Sequence, residues 1–280
     1  MENATHLGMN RTGLQMAPLN GTGMVDYADE KAGQVPPDDG GYEQMHRAYV
    51  EEADSVGSVP VPGTVKGMLK SGAQKLMGTR PEVLVDKLGE RLAFERGGVR
   101  LYDAMIMKVL ALQTTGMEST DARTRARGQS ALDDPDTDAY ESPAAGGAGD
   151  GQVVSARVDL ATLQRIREDE QAHFRMVKEA IEELGADPTA MTPCADVVGV
   201  TSMGLIQTLS DPRTNIAQCL NALLTAELTD NAGWELLMEL AEELGHDDMA
   251  VRFSVAATAE AEHLAIVKEW LRSEIMEEAA

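Results

Sequence analysis

The chain has 280 residues, and 24 Lys and Arg face 47 Asp and Glu, for a formal net charge of −23. Such an acidic surface repels nucleic acid and anionic membranes, and no basic patch offsets it, so neither is expected as a partner. Aromatic residues are only 4% of the chain while Met numbers 16, which leans away from sheets and towards helices.

Two cysteines, Cys194 and Cys219, are too few for a disulfide framework and too far apart for a CxxC metal clip. The first twenty residues lack the apolar run of a secretory leader. The longest uncharged stretch of the second half, 197–210, is too short and too broken by glycine to span a bilayer. A reduced, cytoplasmic chain is the expectation.

In chain order, residues 1–80 read as an N-terminal extension, and residues 81–280 as one helical domain. The extension is rich in Gly, Pro and Asp and holds no sustained period, so it is expected to be mostly irregular, with one short helix over 42–53. The first long helix opens at Pro81, where proline loses no needed donor, and runs to about residue 115. Leu88, Leu92, Val99, Tyr102, Ile106 and Val109 form its apolar stripe, and Glu95 interrupts it. Residues 116–152, with DDPDTD and SPAAGGAGDG, read as a long flexible loop. A second helix is predicted over 154–184, closed by Gly185 with Pro188 beyond. Its stripe is Leu163, Ile166, Glu170, His173, Val177, Ile181 and Leu184.

A long connection containing one short helix should follow. Asp211-Pro212 then announces a third helix reaching about residue 244, with Gly245 closing it. Its stripe holds Ile216, Leu220, Leu223, Glu227, Trp234 and Leu237 or Met238. The tight turn GHDD leads to the fourth helix, about 248–276, striped by Phe253, Ala256, Glu260, His263, Val267 and Leu271. The resulting expectation is an all-α four-helix bundle of helices ~45 Å long, with one long crossover between the second and third.

Six polar residues therefore sit in apolar rows: Glu95, Glu170, His173, Glu227, Glu260 and His263. Four of them come as Glu-x-x-His, written EQAH and EAEH. Positions i and i+3 share a helix face, so each motif aims a carboxylate and an imidazole at one point. Rise along the helices puts Glu227 level with Glu260 in one hairpin and Glu95 level with Glu170 in the other. Four carboxylates converging in an apolar core would repel and take up protons. Two divalent cations cancel those charges, and an oxygen-rich set with one nitrogen per ion suits iron or manganese better than zinc or copper.

From about residue 81 onwards the chain resembles the bacterial ferritin-like di-iron carboxylate proteins, on the stretches ERLAFERGGVRLYDA, EDEQAHF, AELTDNAGWELL and AEAEHLAIV. The resemblance implies that Glu95 and His173 are terminal ligands of one metal, that Glu227 and His263 are those of the other, and that Glu170 and Glu260 bridge. It implies two iron ions, with manganese as the alternative, and a ferroxidase-like or small-molecule oxidase using dioxygen or peroxide. A manganese catalase-like enzyme, an iron storage protein without turnover and a purely structural or stress-related binding bundle are the rival readings, and a homo-oligomer is compatible with each. The four-cysteine iron site that rubrerythrins add is excluded by the cysteine count. Tyr102 and Trp234 each stand seven residues after an unpaired Glu, so the two helix pairs look like an internal duplication.

Tyr102 and Trp234 are read as core filler in preference to partners of the cluster. Glu168, Asp169 and Glu262 fall off the stripes and are expected to face solvent. His246 is read as a capping or solvated residue, and His6, His46 and both cysteines are given no role. Gly97 and Gly98 weaken the first helix beside its ligand and are expected to admit a close neighbour or a local bulge.

Overall fold

The computed structural model describes residues 18–32, 41–76, 80–130 and 158–280, and among these every regular element is a helix and none is a strand. The described residues fall into two compact units, one within Thr5–Ser55 and one from Val56 to the C-terminus. The first holds α1 (Pro18–Ala32) and α2 (Gly41–Glu52). The second holds α3 (Val65–Leu76), α4 (Pro81–Ser130), α5 (Leu160–Glu183), α6 (Pro193–Thr201), α7 (Met203–Ser210), α8 (Ile216–Glu243) and α9 (Asp247–Glu278).

α2 matches the short helix expected over 42–53, but α1 and α3 were not anticipated. The apolar residues of α1, PLNGTGMVDYADEKA, keep to no single face, so a search for a stripe passes over it. α3 is tied to the long helices: it packs on α4, Thr64 Oγ1 caps it by accepting from Gly67 N at 3.0 Å, and the same hydroxyl lies 3.5 Å from Gly185 O.

Four long helices, α4, α5, α8 and α9, pack side by side. α4 lies on α5 and α8, and α9 lies on α8 and α5. α4 continues to Ser130, beyond the expected end near 115. A lone Gly116 does not stop a helix, and the strong breakers DDPDTD begin only at Asp133. The rest of the expected loop, 131–152, lies outside the described residues. α5 starts at Leu160, later than predicted, because Asp159 caps it by accepting from Thr162 N at 2.8 Å. Residues 154–157 of that predicted helix also lie outside the described part. Asn215 and Gln218 form a reciprocal capping box at the start of α8. Gly185 and Gly245, at φ +80° and +74°, close α5 and α8 as expected, using the left-handed conformation that glycine enters freely.

The crossover carries two short helices, α6 and α7, where one was expected. Both lie on α4. Asp86 Oδ1 accepts from Cys194 N at 2.9 Å, at the start of α6. Lys108 Nζ donates to Asp211 O at 2.7 Å and Thr214 O at 2.9 Å, just after α7. Those two anchors stand ~33 Å apart along α4, so the crossover is fastened along most of the helix it spans.

The apolar interior divides into two layers. One joins Leu101, Tyr102, Met105, Leu163, Ile166, Leu220, Leu223 and Val267. The other joins Leu84, Leu88, Val177, Ile181, Trp234, Leu237 and Phe253. Each long helix contributes to both layers, and on each helix the six singled-out polar residues fall in the gap between them.

Candidate metal centre

The structure brings together all six residues expected from the sequence. Glu95 comes from α4, Glu170 and His173 from α5, Glu227 from α8, and Glu260 and His263 from α9, and every one is buried. Ligand-capable atoms of Glu170, Glu227, Glu260 and His263 lie within 4.8 Å of one another, and so do those of Glu95, His173 and Glu260. His173 Nδ1 is 2.6 Å from Glu260 Oε1 and 3.8 Å from Glu95 Oε2. His263 Nδ1 is 3.1 Å from Glu260 Oε2 and 4.0 Å from Glu170 Oε1. Thus both imidazoles turn the same ring nitrogen towards the carboxylates, with Glu260 between them.

These contacts leave much unsatisfied. Glu95 Oε2, Glu170 Oε2, Glu227 Oε2, Glu260 Oε1 and His173 Nδ1 are all buried without a hydrogen bond of normal geometry. Buried polar atoms are ordinarily paired, because an orphan forfeits its solvation with nothing in return. Five such orphans gather in one place and face one another from all four long helices, a set of donor atoms close enough to share a ligand.

Charge tells the same story. Burial, with the Glu260 charge adding to it, raises Glu95 to about 7 against the helping Arg91 guanidinium. Burial and Glu260 raise Glu227 to about 8, and burial with the Glu260 and Glu95 charges pushes Glu170 well above the ordinary carboxylate range. Glu260 goes the other way: burial opposes its charge, but the close approach of His173 and the hydrogen bond with His263 outweigh that and hold it down to about 2. Burial works against a charge on His263, yet Glu260 and Glu227 raise its pKa. Without cations, the layer can keep its carboxylates buried only by protonating some of them.

Several partners of the cluster escape a reading by stripe alone. Arg91 and Asp230, both buried, form an ion pair beside it, and Arg91 Nη1 also donates to Glu95 Oε1 at 3.3 Å. The guanidinium lies 4.7 Å from the Phe94 ring centre and 5.7 Å from that of Trp234. It passes so close to Gly233 that a Cβ there would overlap it. The signal was present: Arg91 stands four residues before Glu95 and Asp230 three after Glu227, both helical repeats of the inward face. Asn231 Nδ2 donates to Glu227 O at 2.9 Å and Glu260 O at 3.0 Å, which fixes the register of α8 against α9 at the height of the site.

Tyr102 is more than filler, because its buried hydroxyl donates to Glu227 Oε1. Burial and the Glu227 charge hold that phenol's pKa well above the usual tyrosine value, so it keeps its proton. Trp234 sets its ring edge-on to His173 at 5.5 Å. Glu168 and Glu262 are exposed as expected, but Asp169 is not a purely solvent-facing residue. It is half-buried, and its Oδ2 lies 3.2 Å from His263 Nε2. Gly98 explains the weakened stretch of α4: a Cβ there would overlap the Glu170 carboxylate, whereas Gly97 faces open space.

Among the described residues no helix is long and apolar enough to cross a membrane. Comparison with family models, with curated proteins and with solved structures gives no match for the chain.

Proposed function

We propose that α4, α5, α8 and α9 form a ferritin-like four-helix bundle whose polar layer holds two divalent metal ions, iron in preference to manganese. The protein on this reading is an oxidoreductase that consumes dioxygen or peroxide, most simply as a ferroxidase. The observation that carries the reading is the set of five orphaned, buried oxygen and nitrogen atoms converging from four helices. The charge balance supports it: Arg91 offsets Asp230, which leaves four glutamates for two doubly charged ions. The donor set, rich in oxygen with two imidazoles and no thiolate, suits iron and manganese.

Glu95 and His173 would hold one ion, Glu227 and His263 the other, and Glu170 and Glu260 both. A bound iron pair supplies two adjacent reducing Lewis-acid centres, which is the chemistry that reduction of dioxygen or peroxide requires. The chain supplies the surroundings. Two apolar layers exclude water above and below the site, Tyr102 keeps a proton beside Glu227, and Asn231 holds the carboxylate-bearing turns of α8 and α9 level.

The test is anaerobic addition of ferrous iron to metal-stripped protein, with bound metal counted by elemental analysis. Two ions per chain are expected. In a His173→Ala/His263→Ala double variant that count should collapse while the far-ultraviolet circular dichroism stays helical. An unchanged count of two in the double variant, or no uptake by the parent, would refute the assignment.

A further inference from the structure

We infer that the two metal positions are inequivalent and fill in order, the Glu227–His263 position first, with Asp169 as the positioning residue that sets the order. This rests on reading the cluster as a dinuclear centre.

The duplication supplies the comparison. Glu95 and Tyr102 on α4 correspond to Glu227 and Trp234 on α8, and Glu170 and His173 on α5 correspond to Glu260 and His263 on α9. An exact repeat would give both positions the same surroundings, but the flanking residues differ. His263 presents Nδ1 to the cluster and its Nε2 to the Asp169 carboxylate at 3.2 Å. A carboxylate on the outer nitrogen of an imidazole fixes the proton there, leaves the inner lone pair free for a metal and makes it more basic. The duplicated counterpart of Asp169 is Ala259, which has no acceptor to offer. Among the described residues no side chain hydrogen-bonds the outer nitrogen of His173.

The opposite half is handicapped as well. Arg91 Nη1 donates to Glu95 Oε1 at 3.3 Å, so one oxygen of that terminal carboxylate is already engaged by a guanidinium whose charge Asp230 balances. Its counterpart four residues before Glu227 is Leu223, which is apolar. Glu227 instead receives a hydrogen bond from the neutral Tyr102 hydroxyl. Each asymmetry favours the Glu227–His263 position.

The experiment is a titration of the metal-stripped full chain with cobalt(II), which does not oxidise under these conditions, followed by calorimetry and by the visible absorption of the bound ion. The parent is expected to bind in two resolved steps of one ion each. Asp169→Ala should weaken the first step by about 10- to 100-fold, the usual effect of removing a partner behind a ligating histidine, and leave the second in place. Asp169→Asn, which keeps an acceptor but loses the charge, should recover part of that loss. Ala259→Asp should tighten the second step and narrow the gap. The cobalt spectrum of the first equivalent should change in Asp169→Ala while the melting temperature of the metal-free variant does not, which separates positioning from a merely structural role. Two equal sites in the parent, or unchanged constants in Asp169→Ala, would overturn the ordering and leave the dinuclear assignment standing. Failure of the parent to bind two cobalt ions would instead remove the assignment and the ordering together.

Discussion

Alanine at Gly98 sets two effects of one methyl group against each other, and alanine at Gly97 provides the control. Both positions lie inside α4, where replacing glycine removes backbone freedom from the unfolded chain and favours the helix by about 0.5–1 kcal/mol. For a domain of this size that is roughly 1–4 °C in Tm. At Gly97 nothing lies within 4 Å of the new Cβ, so metal-free Gly97→Ala should gain that amount and bind metal like the parent. At Gly98 the Cβ would overlap Glu170 Oε2 and come within 2.7 Å of its Cδ. Helix α4 cannot retreat without disturbing Leu101 and Tyr102 below it, so the carboxylate has to swing away. Loss of a correctly placed carboxylate should reduce metal affinity by about 10- to 100-fold, or roughly 1.4–2.7 kcal/mol. The assay pairs thermal melts of the metal-free proteins with competition titrations against a chelator of known affinity. Equal metal affinities in the two alanine variants would refute the claim that the glycine exists to seat Glu170.

Two further outcomes follow from the charges. The folded-state values of Glu95 and Glu227, raised from 4.5 to about 7 and about 8, mean that the native state binds these protons more tightly than the unfolded chain does. Their stabilising effect is complete below pH 4.5 and fades as the pH climbs through 7 and 8, so metal-free protein should lose on the order of 5 kcal/mol between pH 5 and 8.5. His263, also raised, acts in the same direction, while Glu260, held at about 2, exerts its opposite effect only below pH 4.5. Calorimetry of metal-free and metal-loaded protein across this range checks the sign: Tm should fall with pH in the former, metal should flatten the slope, and a rising metal-free Tm would contradict the burial argument. Asp230→Ala strands the Arg91 guanidinium in the interior and should destabilise the fold by about 3–5 kcal/mol in chemical denaturation. A loss below 1 kcal/mol would mean that the pair is not buried as described.

The six converging residues were legible because each breaks a hydrophobic row of helical period, and such a row tolerates a carboxylate only where something offsets its charge. What escaped was everything that depends on which helix lies opposite. Arg91 shares a face with Glu95 but finds its partner Asp230 on another long helix, and a long cation at the edge of a stripe reads equally well as a solvated one. Asp169 fell off the α5 stripe, yet α9 is near enough for it to reach His263. α1 keeps no apolar face for a period to detect. The end of α4 was misplaced because one glycine does not outweigh the helical run around it, whereas the cluster of Asp and Pro beyond carries the stronger signal.

The strap formed by α6 and α7 also governs how copies of this protein can relate to one another. Helical hairpins joined by a long connection can exchange between molecules, each chain lending its second hairpin to a neighbour. Here the connection is pinned to its own α4 by Asp86 at one end and Lys108 at the other, so the strap itself stays with the chain that carries α4. Within one chain, every carboxylate and imidazole of the polar layer is already present, so a monomer carries the whole donor set without borrowing a residue.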